Sequence, residues 1–407
     1  MTPAQDPEVF RRALVAWLDE HAPRSLWHSV STPFQGHWGG KNSDFASDDH
    51  RAWFEACLEL GWTAPGWPRE FGGAGLPSTH VRVFHEELRE RGLPQPLVGF
   101  GLTMIGPILL AHGSPEQKAY HLPAIVRGDL RWCQGYSEPG AGSDLASLTM
   151  KAERDGDDFV VSGQKIWTSH AEKADWIFCL VRTSSAGRKQ EGITFLLIDM
   201  TSPGITVRPI ELISGASPFC EVYIDEVRVP ADQVVGEIGK GWKVAKALLA
   251  HERSMVGESI AAGGARPDVL QGYGLAEHAL KVFGRDHGGQ LAAPSLRDSI
   301  AAVEMEEEAM RMLVRQLNEA LKAGHQPGAE ASILKIAGTE LNQRRWELAV
   351  DIAGPAALTW DERAFDEHDQ ALGRHFLRSR GNTIEGGTSE IQRNILARRV
   401  LGLPKGR

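Results

Sequence analysis

The chain has 407 residues, which is enough for two or three domains and a large hydrophobic core. Its formal net charge of −9, without a long run of lysine or arginine, argues against a nucleic-acid partner. A hydrophobic content of 42% and a charged content of 24% are ordinary for a soluble globular protein. No stretch reaches 18 apolar residues, so we expect no membrane-spanning segment.

The cysteines and the N-terminus bear on metal binding and location. The four cysteines form no Cys-x-x-Cys pair, and no close cluster of histidine and cysteine has zinc-ligand spacing. The first residues lack the basic region and apolar core of a signal peptide. We therefore predict reduced cysteines, no metal site and a cytoplasmic location.

Residues 1–130 predict an N-terminal α-helical domain. Apolar residues recur at helical spacing in residues 8–20 and 51–60, and two further helical stretches are expected near 78–92 and 100–112. A loop rich in glycine and proline separates the second stretch from the third.

Residues 131–238 predict a middle β domain, because short β-rich runs alternate there with turns. No helix of crossover length separates the runs, so we expect an antiparallel sheet. Residues 239–407 predict a C-terminal helical bundle, with helices expected at 301–323, 329–352 and 389–401. The predicted fold class is α+β, with a helical domain, a β domain and a helical bundle in chain order.

Two segments of the β domain carry candidate ligand contacts. The first, residues 132–144, contains Ser137 and ends in Gly-Ala-Gly-Ser143-Asp, whose backbone N–H groups can approach a polar ligand closely. The second, residues 163–169, reads Gly-Gln-Lys-Ile-Trp-Thr-Ser. For either segment alone, turn chemistry favours a surface turn or a core tryptophan over a ligand site.

In the second segment Trp167 supplies a flat apolar face for a ring, and Ser169 is a compact hydrogen-bond donor. Together, in this order and at this separation, the two segments resemble the flavin-contacting signature of the acyl-CoA dehydrogenases. The resemblance covers essentially the whole chain. It implies FAD as cofactor, with Gln134, Ser137, Ser143, Trp167 and Ser169 among its contacts.

The resemblance also implies the reaction and the partners. Acyl-CoA dehydrogenases remove hydrogen from the α and β carbons of an acyl-CoA thioester, which gives the trans-2-enoyl-CoA, and pass the electrons to an electron-transfer flavoprotein. An oligomer is implied, either a homodimer or homotetramer or a heterotetramer with a related subunit.

The catalytic base of this family is a glutamate at one of two places. The usual place, just before a C-terminal Gly-Thr-Ser, is here Gly386, and Glu385 falls one residue early. The other place is the first long helix after the β domain. There Glu252 follows Ala245 by seven residues and Leu248 by four, so helical geometry puts it on an apolar stripe.

We therefore prefer Glu252 as the base and keep Glu385 as the alternative. On helix geometry alone, a structural ion pair with Arg253 explains Glu252 slightly better. For Glu385 the alternative is a loop residue beside a helix N-terminus.

The C-terminal segment also predicts a helix start, because Ser389 with Gln392 fits a capping box. By resemblance, Thr388 and Glu390 lie beside the flavin. Ser143, Arg253 and Gly386 are the predicted contacts to the substrate.

Three sites depart from the family pattern. Gln134 stands where many members carry an aromatic residue, Leu280 where an arginine is usual, and Asp351 and Pro355 where glutamine and glycine are usual. The last two sites normally complete the adenine and pyrophosphate end of FAD across a subunit interface. These traits resemble bacterial dehydrogenases of steroid side chains, some of which combine two different subunits.

The departures motivate the hypothesis that this chain supplies Trp167, Ser169 and Glu252, while a partner chain supplies the missing FAD contacts. Two alternatives stay open. One is a non-catalytic or half-site subunit of a heteromeric complex. The other is a flavoenzyme of the same fold that reacts with oxygen.

Overall fold

The structure is a computed structural model that describes residues 6–29, 35–249, 274–322, 328–329, 331–360 and 367–404. The described residues within 1–210 and 217–252 form one compact unit, and those within 211–216 and 253–407 form a second. The predicted α+β fold class is confirmed, since helices precede and follow a seven-stranded sheet. The predicted domain boundaries, 130/131 and 238/239, stay a prediction.

Helices make up the N-terminal part of the first unit. They are α1 (Pro7–His21), α2 (Asp48–Glu59), α3 (Ser78–Glu90), α4 (Gly106–His112) and α5 (Pro115–Val126). Helix α1 shows why: Asp6 caps its first turn, and Phe10, Leu14 and Leu18 share one buried face at helical spacing. A π-helical turn, Gly101–Ile105, precedes α4.

The sheet of the first unit has seven strands. They are β1 (Trp132–Gly135), β2 (Lys151–Asp155), β3 (Asp158–Ser169), β4 (Trp176–Arg182), β5 (Ile193–Asp199), β6 (Ile205–Ile210) and β7 (Phe219–Pro230). Their order is β1-β4-β2-β3-β7-β6, and β5 pairs with β4.

The sheet is mainly antiparallel, as expected, but strand β4 also makes parallel pairings. Strand β1 runs parallel to β4, with Trp132 beside Trp176, and β2 meets β4 in one parallel bridge. The connection from β1 to β4 is long enough for a parallel return, because it contains the β2–β3 hairpin in place of a crossover helix.

The central strands are covered on both faces. Along β4, Ile177, Cys179 and Val181 pack into one hydrophobic cluster, while Phe178 and Leu180 pack into another that includes residues of α4 and α5. Burial on both faces explains why β4 and β5 read as continuous apolar runs.

Residues 241–249 form the described part of helix α6. The apolar stripe predicted for this helix is present there, since Ala245 and Leu248 are fully buried in the same cluster as α4 and α5. Glu252 and Arg253 lie outside the described residues.

The second unit contains α7 (Leu275–Phe283), α8 (Pro294–Lys322), α9 (Ala331–Ala353), α10 (Glu367–Ser379) and α11 (Ser389–Ile395). Its core includes Trp346, Ile352 and Leu372. The helix predicted at 389–401 is α-helical only as far as Ile395, and residues 396–400 form a π-helical turn. No helix of the described ranges is long and apolar enough to cross a membrane.

Residues 211–216, which connect β6 to β7, belong to the second unit. Arg374 donates from Nη1 to the carbonyl oxygen of Ser214 at 3.3 Å, and its guanidinium carbon lies 4.0 Å from the centre of a Trp360 ring. Gly215 has φ +80°, and a side chain there would overlap the Arg374 guanidinium.

Candidate active site

A β-bulge in β3 determines where Trp167 lies. The pairing register of β3 with β7 shifts between Lys165 and Thr168, and Trp167 within the bulge has φ +60°. This left-handed conformation costs a bulky residue about 1 to 3 kcal/mol. The side chain is nevertheless 53% exposed, so burial of its ring leaves little net stabilisation after that cost. A strained, exposed tryptophan indicates a functional position.

The two segments predicted to act together are neighbours in the structure. The backbone N–H of Ile166, next to Trp167, donates to the carbonyl oxygen of Ser137 at 2.9 Å. Ser137 follows β1, and Ser169 ends β3; both side chains are partly buried. Three of the predicted contacts, Ser137, Trp167 and Ser169, therefore belong to two hydrogen-bonded stretches.

A buried ion pair underlies these two stretches. Lys165 Nζ donates to Glu138 Oε1 at 2.9 Å and to the carbonyl oxygen of Tyr136 at 3.2 Å. The side chains of Lys165 and Glu138 are 0% and 6% exposed. Glu138 also accepts from the Thr149 N–H at 2.7 Å, the Thr149 hydroxyl at 2.9 Å and the Met150 N–H at 3.0 Å.

The pKa of Glu138 reflects these contacts. Burial alone would raise it, but the Lys165 ammonium and the N–H donors of Thr149 and Met150 outweigh burial and hold the pKa of Glu138 below its usual value. Glu138 is thus a charged, structurally committed carboxylate and is unsuited to act as a base.

Sequence reasoning assigned no role to this pair, although a signal was present. Lys165 follows Phe159 by six residues and Val161 by four, so a two-residue strand period turns it toward the same buried face. A lysine at such a position requires a buried carboxylate partner.

Unpaired polar atoms lie in the same part of the sheet. Gln134 Nε2 and Thr168 Oγ1 are buried and have no hydrogen-bond partner among the described residues. Buried polar groups of this kind normally have a partner. The partly buried Gln134 fits a ligand with ring nitrogen and oxygen atoms. Thr168 is fully buried opposite Cys220 of β7, on the other side of the strand from Ser169, so its hydroxyl faces the protein interior.

The glycine-rich turn after Glu138 is tight and exposed. Glu138 and Ala141 exchange backbone hydrogen bonds of 3.1 and 3.0 Å. A Cβ atom on Gly140 or Gly142 would meet no protein atom within 4 Å, so packing of the chain does not demand glycine at either position. Ser143 is exposed beside them.

The predicted site residues of the second unit have different surroundings. Glu385 accepts from Arg378 Nη2 at 2.8 Å and from Asn382 Nδ2 at 2.5 Å, and its side chain is 41% exposed. Gly386 is exposed, with φ +63°. Both oxygens of Glu385 are therefore engaged by neighbouring donors within its own unit.

The start of α11 differs from the sequence prediction. Thr388, and not Ser389, is the N-cap, because its hydroxyl accepts from the Ile391 N–H at 3.3 Å. Gln392 donates to the carbonyl oxygen of Gly386 at 3.1 Å. Glu390 is exposed, and a helix N-terminal N–H together with the Thr388 hydroxyl lowers its pKa.

The structure also describes three of the positions that depart from the family pattern. Leu280 packs against the hydrophobic core of the second unit. Asp351 and Pro355 are both exposed. Gly354, which lies between them directly after α9, has a φ of +57°. An arginine at position 280 would replace a core leucine.

Comparison with known proteins decides the family. Residues 24–129, 133–227 and 239–401 match the N-terminal, middle and C-terminal domain models of acyl-CoA dehydrogenase. The chain belongs to the acyl-CoA dehydrogenase family. Acyl-CoA dehydrogenases are FAD-dependent oxidoreductases that convert an acyl-CoA to its 2-enoyl-CoA, and this chain is an enzyme of that class.

Relatives of similar length support this conclusion. Acyl-CoA dehydrogenase IpdE1 of Mycobacterium tuberculosis is 37% identical over 403 residues, which cover 98% of this chain and 99% of the relative. The solved structure described as the Tcur3481-Tcur3483 steroid ACAD has a TM-score of 0.74 and 32% identity, with full coverage of both chains. The ChsE4-ChsE5 complex from Mycobacterium tuberculosis has a TM-score of 0.72 and 30% identity, also with full coverage.

The residues of the first unit fit the FAD of this family. The half-exposed Trp167 ring suits one face of a flavin ring, and the unpaired amide of Gln134 suits ring heteroatoms or a phosphate.

Proposed function

We propose that this chain binds FAD through Gln134, Ser137, Trp167 and Ser169 and oxidises a bulky acyl-CoA, such as one with a steroid side chain. The observation that carries the proposal is the strained, exposed Trp167 beside the Ser137 loop. Support for a bulky acyl group comes from the relatives, two of which carry the words steroid ACAD in their descriptions.

Bound FAD supplies the hydride acceptor for the β carbon. The protein must remove the α proton, and we assign this step to Glu252. The sequence spacing predicts that Glu252 lies on an apolar stripe, where a carboxylate is poorly solvated, and this favours proton uptake. Glu385 is the weaker candidate, because its oxygens already accept from Arg378 and Asn382. Ser143, Arg253 and Gly386 are proposed substrate contacts, and Thr388 and Glu390 proposed flavin contacts.

We also propose that electrons pass to an electron-transfer flavoprotein and that the working assembly is an oligomer. A heteromer with a related subunit is favoured by one observation, the replacement of the usual FAD-binding side chains by Leu280, Asp351 and Pro355. The relative described as the ChsE4-ChsE5 complex makes such an assembly a reasonable model.

The test is the visible absorption spectrum of the purified full-length chain, alone and co-expressed with candidate partner chains. A yellow protein that loses its flavin absorbance when one thioester of an acyl-CoA panel is added anaerobically supports the proposal. The panel should pair steroid side-chain thioesters with straight-chain thioesters. A preparation that never retains flavin, alone or with partners, contradicts it and favours a non-catalytic subunit.

Two matched variants separate the base candidates. Glu252→Gln should leave flavin binding intact and abolish bleaching, whereas Glu385→Gln should leave both nearly unchanged. The reverse result would transfer the assignment to Glu385. Release of hydrogen peroxide at each turnover would favour the oxygen-using alternative over an electron-transfer flavoprotein.

A further inference from the structure

The buried ion pair of Glu138 and Lys165 holds three consecutive residues of the Ser137 loop. Lys165 Nζ binds the carbonyl oxygen of Tyr136 and the carboxylate of Glu138, the two neighbours of Ser137. The next residue along β3, Ile166, donates its N–H to the carbonyl oxygen of Ser137 itself. Trp167 follows at once, in the left-handed conformation of the bulge.

The pair is separated from any ligand by its burial. The Lys165 side chain is fully buried and that of Glu138 nearly so. The remaining acceptor capacity of Glu138 is taken by Thr149 and Met150, which immediately precede β2. The pair therefore connects the residues around Ser137, the bulge at Trp167 and the segment before β2 with almost no exposure to solvent.

A gain in stability does not by itself explain why this ion pair is buried. Two charges buried together lose their hydration, and replacement of both by neutral residues of similar volume often leaves a protein equally stable or more stable. What an ion pair with five well-directed hydrogen bonds adds is a fixed geometry of the groups around it.

We propose that Glu138 and Lys165 are positioning residues, which fix Ser137 and Trp167 in the arrangement that binds the flavin ring. This inference rests on the proposed function, in which Ser137 and Trp167 contact FAD. Neither member of the pair touches the cofactor or moves a proton.

The experiment compares the dissociation constant of FAD and the visible circular dichroism of bound flavin in the full-length chain, within whichever assembly retains flavin. The decisive variant is Glu138→Gln with Lys165→Met, which removes both charges and leaves no unpaired buried charge. We expect its thermal midpoint to lie between those of the wild type and of Lys165→Met, because the amide can accept at only one of the two positions where the Glu138 carboxylate accepts. Its dissociation constant for FAD should rise about ten-fold, as expected for one well-placed hydrogen bond, and the dichroism should change.

Two further variants keep the test informative. Thr149→Val removes only the hydroxyl bond to Glu138 and should change the same two readouts in the same direction, more weakly. Glu87→Gln is the matched control: this carboxylate of α3 is 4% exposed and binds Arg11 and Arg91. It should lower the thermal midpoint and leave flavin affinity and dichroism unchanged.

The outcomes distinguish a failure of the positioning role from a failure of the proposed flavin site. If Ser137→Ala and Trp167→Ala weaken FAD binding while the double variant keeps wild-type affinity and dichroism, the positioning role is wrong and the proposed function stands. If Ser137→Ala and Trp167→Ala themselves leave FAD binding unchanged, the proposed flavin site is wrong, and the positioning role fails with it.

Discussion

The residues around Ser137 and Trp167 in the first unit and residues 385–390 in the second unit differ in how far their charged groups are buried. In the sheet, Glu138 and Lys165 are buried and satisfied by each other and by backbone groups, while Trp167 is left exposed. In the second segment, Glu385 is a partly exposed carboxylate in an ion pair with Arg378. The buried charges of the first region therefore fix the geometry of the groups around them. The charges of the second region only form an ion pair between neighbouring, partly exposed side chains.

The largest effect is expected when only one member of the buried ion pair is replaced. Lys165→Met leaves the Glu138 carboxylate buried without its countercharge, which should cost about 3 to 5 kcal/mol of unfolding free energy. Urea unfolding at pH 7 measures this loss. A loss below 1 kcal/mol would place the pair in the same class as the surface pair of Glu385.

Acid pH sharpens this first prediction. The folded-state pKa of Glu138 is depressed, so its contribution is present above its usual value of 4.5 and is lost as pH falls through the folded-state value. In Lys165→Met burial is no longer opposed by the ammonium, so the pKa of Glu138 is raised in the folded variant. The difference in stability between wild type and Lys165→Met should therefore begin to shrink above pH 4.5 and keep shrinking until the pH falls through the depressed wild-type value. The double variant Glu138→Gln with Lys165→Met should show no such convergence.

A second buried polar group in the first unit predicts a separate pH effect. His121 lies between Trp132 and Trp176, and burial lowers its pKa to about 4, with a hydrogen bond from the imidazole to the Gln233 side chain opposing the shift. Between about pH 4 and 6.5 the unfolded chain binds a proton that the folded chain does not. Stability should therefore fall as pH decreases through this window, by about 2 to 3 kcal/mol at pH 4.5.

His121→Gln tests this expectation by removing the titrating ring. Urea midpoints at pH 7 and 4.5 should differ less in the variant than in the wild type. Replacement of the exposed His287 by glutamine provides the control and should leave the wild-type difference intact.

How far the sequence alone predicts this site depends on which signals are local. Trp167 and Ser137 stand in recognisable segments, so their involvement could be predicted, and the hydrogen bond from Ile166 to Ser137 shows that they meet. The bulge and the positive φ of Trp167 could not be predicted, because they arise from the register of β3 against β7. Register is a long-range property.

The fold class could be predicted from the sequence, but the pairing of the strands could not, because pairing is also a long-range property. Helical and strand periodicities gave the order of helices and sheet. The parallel pairing of β1 with β4 was missed, since β1 is four residues long and its partner lies beyond the β2–β3 hairpin. The cap of α11 was misplaced by one residue because Thr388 and Ser389 are both competent N-caps.

A smaller effect is expected when the strain at the bulge is released. Trp167→Gly removes a half-exposed ring but also a left-handed tryptophan, and these two changes oppose each other. We expect the unfolding free energy to change by no more than about 1 kcal/mol, whereas FAD binding should weaken at least ten-fold. Titration of FAD and urea unfolding on the same preparation measure both.

Trp53→Gly is the comparison for this variant, because Trp53 is buried and donates from Nε1 to the carbonyl oxygen of Pro94. That change should cost about 3 to 5 kcal/mol. If both tryptophan variants lose the same stability, Trp167 is an ordinary packing residue and the strain argument is wrong.

The smallest effect belongs to the second region. Glu385→Gln breaks an exposed ion pair with Arg378 and should change the unfolding free energy by less than about 1 kcal/mol. Raising the salt concentration should reduce even this difference. A loss of several kcal/mol, insensitive to salt, would show that the two regions do not differ as described.

The connector 211–216 has a practical consequence for recombining this protein with its relatives. The chain leaves the sheet after β6, contributes six residues to the helical unit, where Arg374 and Trp360 contact Ser214 and Gly215, and then returns as β7. The helical unit is therefore not a contiguous stretch of sequence. A chimera joined at a single crossover near residue 239 would combine the connector of one parent with the Arg374 and Trp360 of the other. Exchanging the helical unit intact requires grafting the connector as a second insert.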